Sequence, residues 1–253
     1  MTTTHVPGSR TAIITGGGRG IGRATALALG EDGWNVVVAG RTQSGLDETV
    51  AELTGEGLAV ATDVSDASQV DELFRQAVAT FGRVDLLFNN AGIAAPAVPV
   101  DELSVEVWEQ VIAINVTGSY LCARAAFAQM RDQSPQGGRI INNGSISADR
   151  PRPMSAPYTV SKHAITGLTK SLSLDGRTHG ICVGQVDIGN VTSDMTEAMV
   201  AGILQADGST RSEPTMDMGN VASSIVHIAN LDPDANILTM TVMANGMPFV
   251  GRG

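Results

Sequence analysis

The chain has 253 residues, 43% of them hydrophobic, enough for one sizeable core; an α/β sheet fold of this length commonly forms one domain. With 16 Lys and Arg against 26 Asp and Glu the formal net charge is -10, which argues against nucleic acid as a partner, because phosphate binding needs a basic face. No apolar run reaches the roughly 18 residues of a membrane span, and residues 1–9 lack the basic start and apolar middle of a secretory leader, so a cytoplasmic protein with no membrane partner and a loose tail over 1–9 is expected.

Residues 11–15 form the first expected strand, and residues 23–29 the helix after it. Between them lies Thr15-Gly16-Gly17-Gly18-Arg19-Gly20-Ile21-Gly22. Glycines there solve a steric problem: a pyrophosphate reaches the N–H groups of a helix N-terminus only where the backbone carries no Cβ. The spacing is G-x-x-x-G-x-G at Gly16, Gly20 and Gly22. Such turns are common, and this one gains weight from standing between a strand and a helix. A second strand is expected at 35–39. A carboxylate after it would bind the ribose 2′-OH of NAD, but the place holds Gly40, with Arg41 beside it and Arg19 in the glycine loop. A guanidinium pairs with a 2′-phosphate through its rigid fork, so the charge pattern predicts NADP, with NAD as second choice; a merely solvated Arg41 is the plain alternative.

Further strands are expected at 58–62, 84–89, 139–143, 181–186 and 238–242. The stretch 66–81 is amphipathic, with Val70, Leu73, Phe74, Ala77 and Val78 at helical spacing and Asp66 with Gln69 as a capping box. The strands are unbroken apolar runs rather than alternations, as strands covered on both faces are. The expected fold is therefore α/β: a Rossmann-type, doubly wound, seven-stranded parallel sheet with helices on both faces, one domain over 1–253 binding its ligand at the carboxyl ends of the strands. One region breaks the rhythm. Over 192–214, Met195, Met199, Ile203 and Leu204 follow a helical pattern, and a polar run follows at 205–213. This reads either as a helical insertion closing over a substrate as a lid or as a surface helix without that role. Cys122 and Cys182 lie in unrelated apolar segments and the four histidines show no ligand spacing, so neither a metal site nor a disulfide is expected.

A helix is expected over 155–170, after Pro151 and Pro153. On it Tyr158 and Lys162 stand at i and i+4, stacked on one face, where an ammonium favours the ionised phenol by nearby opposite charge. A tyrosine so assisted can act as acid or base. Y-x-x-x-K alone is equally the pattern of an ordinary amphipathic helix. Ser145 adds to it: it follows the 139–143 strand and so belongs at the carboxyl edge of the sheet, where a hydroxyl can bond a substrate oxygen, although turn serines are common there too. Asn115 interrupts the apolar run 111–116, and a buried amide needs partners. A backbone carbonyl and a water leading toward Lys162 would serve, as would a local helix bond.

These residues, in this order, resemble the short-chain dehydrogenase/reductases, in their compact branch of roughly 250 residues. The resemblance covers nearly the whole chain through residues 15–22, Asp63-Val64, Asn89-Asn90-Ala91-Gly92, Asn115, Ser145, Tyr158 and Lys162. It implies that Tyr158 is the catalytic acid/base and that Ser145 positions the carbonyl or hydroxyl. Lys162 would bind the nicotinamide ribose and tune Tyr158, and Asn115 would anchor a proton-relay water. It further implies that Gly16, Gly18, Arg19, Gly20, Ile21 and Gly22 hold the cofactor phosphates, that Asp63 and Val64 contact the adenine, that Asn89, Ala91 and Gly92 line the cofactor, and that the chain assembles as a homotetramer or homodimer. After the sixth strand such chains carry Pro-Gly, an apolar residue and a Thr that binds the carboxamide. Here Ile188 stands in the proline's place, Asp187 adds a charge, Val191 keeps the backbone contact and Ser193 aligns with the threonine. A loop without that proline is less preordered.

The implied activity is interconversion of a carbonyl and a secondary alcohol by hydride transfer with NADP(H). The expected mouth comprises 94–98, Ser147, Arg150, Arg152, Met154 and Met195. Its apolar residues suit a nonpolar ketone or secondary alcohol. Its arginines would suit an acyl-carrier-protein ketone, which would make the chain a 3-oxoacyl-thioester reductase; as solvated loop residues they would select nothing. A non-catalytic dinucleotide-binding sensor or scaffold is the reading from another class. Asp187-Ile188 speaks for it, and the intact Ser145, Tyr158, Lys162 and Asn115 speak against it.

Overall fold

A computed structural model of the protein describes residues 10–192 and 202–250. Strands β1 (Thr11–Thr15), β2 (Asn35–Gly40), β3 (Gly57–Ala61), β4 (Leu86–Asn89), β5 (Gly138–Asn143) and β6 (Ile181–Ile188) lie where the apolar runs put them, with ends shifted by a residue or two. A separate antiparallel hairpin, β7 (Ile203–Leu204) and β8 (Thr210–Arg211), precedes β9 (Thr239–Val242). The main sheet has seven strands, all parallel, in the order β3-β2-β1-β4-β5-β6-β9. The order reverses between β1 and β4, and ligands of such sheets bind outside the carboxyl ends of the strands at that point.

Unbroken apolar runs are what this sheet requires. Neighbouring strand residues point to opposite faces, and both faces are covered. Ile13, Val37, Leu87 and Ile140 enter one core, against Val70, Leu73 and Phe74 of helix α3 (Ala67–Phe81). Ile14, Val38, Phe88 and Ile141 enter the other, packed against Ala26 and Leu29 of α1 (Gly20–Glu31) and Ile225 of the last helix. Each such side chain contributes roughly 1.5–3 kcal/mol through its burial. Cys122 sits in the first of these cores, where burial pushes its thiol up to about 12.

Asp66 does cap α3, accepting from the N–H groups of Ser68 at 2.8 Å and Gln69 at 3.3 Å. The box is not reciprocal in the expected way. The Asp66 N–H is taken by the Asp63 carbonyl, so the Gln69 side chain reaches back to the Asp63 N–H at 2.8 Å instead. After α2 (Gln43–Ala51) and α3, two helices, α4 (Val105–Ile112) and α5 (Ser119–Asp132), are joined by a π-helical turn, Ala113–Gly118. α6 (Ala156–Asp175) and α7 (Met218–Ala229) complete the described α-helices.

Two expectations need correction. Ile203 and Leu204 are strand, not helix: Asp207 accepts from the N–H and hydroxyl of Ser209 at 2.9 and 2.6 Å, Gly208 takes φ +81°, and this Asp-Gly turn folds the segment back on itself. Met195, Met199 and Ser193 lie outside the described residues. The second concerns span length. The continuous helical segment Val105–Asp132 is 28 residues long and, by length and composition, apolar enough to cross a membrane. Part of its apolar surface, including Val111, Cys122, Ala126 and Met130, is instead buried in the protein, while Val105 and Trp108 are exposed.

Candidate active site

The glycine loop lies between β1 and α1. Gly16 takes φ +66° and Gly20 φ +54°, in the region where side chains are strained, and a Cβ on Gly22 would stand 2.2 Å from the Gly16 carbonyl oxygen. The loop thus closes directly onto the first turn of α1. That turn has no acidic residue, and Arg19 at the N-cap gives it no side-chain hydrogen bond, so its N–H groups are left for an anion. Ile21 is half-buried at the start of the helix, packed against the α1/α7 core. Arg19 and Arg41 are both exposed, and neither makes a hydrogen bond or ion pair among the described residues.

Across β1, the Thr15 hydroxyl accepts from the N–H groups of Asn90 and Ala91, each at 2.9 Å, and fixes the turn that carries Gly92. The Asn89 side chain turns inward, donating to the Ser119 carbonyl at 2.7 Å and the Asn142 side chain at 3.2 Å. Val64 is buried, and a Cβ on Gly118 would meet it at 2.7 Å. Asp63 bonds the hydroxyl and N–H of Ser65. These bonds, with a smaller contribution from the Arg41 charge, hold its carboxyl below the usual range despite the opposing effect of burial.

Asn115 sits in the π-helical turn, where the widened backbone lets its amide leave the helix. Its Oδ1 accepts from the Ile93 N–H at 2.8 Å. Its Nδ2 donates to the Ile93 carbonyl at 2.9 Å and to Ser161 Oγ at 3.1 Å. Ser161 in turn donates to the Tyr158 carbonyl at 2.7 Å, so Asn115 ties the turn after β4 to the helix that carries Tyr158.

On α6, Lys162 Nζ lies 5.5 Å from the centroid of the Tyr158 ring and donates to the Asn143 carbonyl, at the end of β5, at 2.7 Å. Lys162 is 7% exposed. Ser145 follows two residues after that carbonyl; its Oγ accepts from the Ser147 N–H at 3.1 Å, which leaves its own proton for another acceptor. Tyr158 is half-buried, and its hydroxyl makes no hydrogen bond among the described residues. Ser145, Tyr158, Lys162 and Asn115 therefore converge at the carboxyl edge of β5, beside the glycine loop. A hydroxyl and a phenol flanked by a lysine can give and take a proton at one oxygen atom.

A match over most of the chain accompanies this geometry: the sequence pattern described as "short chain dehydrogenase" fits residues 10–203. The chain belongs to the short-chain dehydrogenase family. It is 36% identical over 209 residues to the short chain dehydrogenase/reductase astE of Aspergillus oryzae, covering 80% of each chain. It is 37% identical over 197 residues to a 3-oxoacyl-[acyl-carrier-protein] reductase of Synechocystis, covering 76% of this chain and 78% of that one. A crystal structure of a 3-ketoacyl-(acyl-carrier-protein) reductase from Brucella melitensis, complexed with NADH, shares the fold, with a TM-score of 0.83 over 93% of this chain and 97% of that one at 24% identity. As a short-chain dehydrogenase the protein belongs to a family of oxidoreductases that act on carbonyl or CH–OH groups with a nicotinamide dinucleotide.

In this short-chain dehydrogenase a cleft of about 340 Å³ beside the first turn of α6 is lined by Val98, Pro99, Val100, Pro151, Met154 and Thr159, with Arg152 and Ser155; Ser145, Tyr158 and Lys162 are not among its lining residues. Arg152 is neither a solvated residue nor a free cation. It pairs with Glu213, whose side chain is 1% exposed, and donates to Asn190 at 2.9 Å. Arg150 is exposed and lies 3.6 Å from Asp149. Val191 is buried in a bridge to Met216.

Thr15, Asn90, Asn143 and Ser161 hold the site together and were not singled out from sequence. Their bonds are to backbone groups or to residues far along the chain, and although Thr15 and Asn90 stand within motifs, neither motif assigned them this part. Asp187, visible in the sequence only as an unexpected charge, accepts from the Ser145 N–H at 3.0 Å.

Proposed function

We propose that the protein is an NADP(H)-dependent oxidoreductase that interconverts a nonpolar carbonyl compound and its secondary alcohol, with Tyr158 as acid and base. The observation that carries this reading is Lys162 Nζ at 5.5 Å from the Tyr158 ring, at the edge of the sheet that also presents Ser145. When bound, the dinucleotide supplies or takes up the hydride. Gly16, Gly18, Gly20, Ile21 and Gly22 would hold its pyrophosphate, Asp63 and Val64 its adenine, and the backbone of Asn89, Ala91 and Gly92 its flank. Val191 and Ser193 would meet the nicotinamide end. The uncapped first turn of α1 supports this fit. Arg19 and Arg41, exposed and without a hydrogen bond or ion pair among the described residues, are suited to a 2′-phosphate, and this favours NADP over NAD.

In reduction, Tyr158 Oη donates its proton to the carbonyl oxygen and Ser145 Oγ donates a hydrogen bond to the same oxygen as it gains charge. The Lys162 ammonium stabilises the phenolate left behind. In oxidation the same groups act in reverse. The apolar lining of the cleft supports a nonpolar substrate. We read the whole chain as one catalytic domain with 192–214 over the substrate, and the exposed Val105, Trp108 and Val160 as a surface for homodimer or homotetramer assembly.

The second reading, 3-oxoacyl-thioester reduction, is favoured by the Synechocystis relative. Against it stands Arg152, whose charge is already matched by Glu213. Single-turnover oxidation of protein-bound NADPH and NADH, followed by absorbance with nonpolar ketones and with 3-oxoacyl thioesters, separates the readings. We expect oxidation by the ketones, faster with NADPH. Oxidation by thioesters alone supports the second reading, and no oxidation with any carbonyl leaves only a dinucleotide-binding sensor.

A further inference from the structure

Asp187 is a half-buried carboxylate that the proton-transfer scheme does not use. It stands at the end of β6, two residues after Gln185, so both side chains rise from the same face of the sheet. Its Oδ1 accepts from the Ser145 N–H at 3.0 Å. Gln185 Nε2 donates to both of its oxygens, at 2.9 and 3.1 Å, and also to Thr166 on α6 at 3.2 Å. The approach is close enough to dictate a neighbour: a Cβ on Gly144 would lie 2.1 Å from Asp187 Oδ1. Burial pushes the Asp187 carboxyl up, and the bonds from Gln185 and Ser145 together with the Lys162 charge only partly offset this. A carboxylate kept where the fold disfavours its charge points to a use.

That use is visible at Ser145. Its N–H is held by Asp187 and its Oγ by the Ser147 N–H, with the backbone extended at φ -163° and ψ 147°. We infer that Asp187 is a positioning residue for the reaction: by fixing the Ser145 amide, it aims the Ser145 hydroxyl at the substrate oxygen. The inference rests on the oxidoreductase reading for its catalytic consequence, but not for the contact itself. Asparagine can take over the contact, because Gln185 Oε1 has no partner among the described residues and can accept from the new amide once the Gln185 side chain turns.

The test uses three variants of the whole protein, Asp187→Asn, Asp187→Ala and Gly144→Ala, and two readouts. Hydrogen exchange of the Ser145 amide needs no turnover. It is expected to stay protected in Asp187→Asn and to accelerate at least about tenfold in the other two, since the new Cβ of Gly144→Ala displaces the carboxylate. In steady state, kcat is expected to fall about 100-fold in Asp187→Ala and Gly144→Ala with the cofactor KM unchanged. Asp187→Asn should stay within about threefold of the parent, and the double variant Gly144→Ala/Asp187→Ala should be no worse than either single. Unchanged amide exchange in Asp187→Ala overturns the inference, and if that variant does not fold, unchanged exchange in Gly144→Ala does so. Accelerated exchange with unaltered kcat overturns it as well. A parent inactive on every carbonyl refutes the oxidoreductase reading instead, while the exchange data still decide the contact.

Discussion

Arg41 follows β2, exposed and without a hydrogen bond or ion pair among the described residues, and its charge is felt at Asp63. In the proposed NADP reading this guanidinium pairs with the 2′-phosphate, and a hydrogen bond to a charged group contributes about 1.5–3 kcal/mol. Arg41→Ala should therefore raise KM for NADPH by about 10- to 100-fold while KM for NADH stays within about twofold. Initial-rate kinetics with both cofactors check this. An equal rise for both would mean that Arg41 serves the loop rather than the phosphate. Asp187 belongs to the same scale. The sequence shows it as a charge out of place, but its meaning depends on an amide 42 residues away that only the β5–β6 pairing brings to it.

The hairpin β7/β8 is tied to the loop before α6 by charge. Glu213 accepts from Arg152, from Asn190 at 2.9 Å and from Gln205 at 3.1 Å. Burial alone would raise its carboxyl, but the bonds from Asn190, Gln205 and Arg152, with the Arg152 charge, hold it below its ordinary value. The stabilisation is thus present above the unfolded carboxylate value, about 4.3, and is lost as pH falls through the folded one. Removing one partner of a buried pair strands the other charge, so Arg152→Ala should lower unfolding stability by about 3–5 kcal/mol at neutral pH and by less in acid. Denaturant titrations at both pH values measure it, and a loss below about 0.5 kcal/mol at neutral pH would contradict the account. This element was also the least legible in sequence. Ile203 and Leu204 fit a helical period with Met195 and Met199, and the Asp207-Gly208 turn signal stood inside a polar run that reads as loop. The strands were legible because a sheet covered on both faces leaves no polar alternation. The π-helical turn at Asn115 was not, because its periodicity differs from that of an α-helix by one residue in a turn, too little to register within an apolar run.

At the scale of the molecule, the parallel order with its reversal between β1 and β4 gathers pieces from distant parts of the chain at one edge. β1 brings the glycine loop, β4 the turn with Ala91 and Gly92, β5 the serine, and α6 the tyrosine and lysine. Each motif is common alone, and in the proposed reading together on that edge they make a proton donor beside a dinucleotide groove. The central claim is that the phenol of Tyr158 moves the proton. It is tested most directly by Tyr158→Phe, which deletes one oxygen and leaves the ring packed on α6. Fluorescence titration should show NADPH binding within about twofold of the parent, while kcat for carbonyl reduction falls by about 10²–10⁴-fold. Turnover by the phenylalanine variant at the parent's rate would contradict the account.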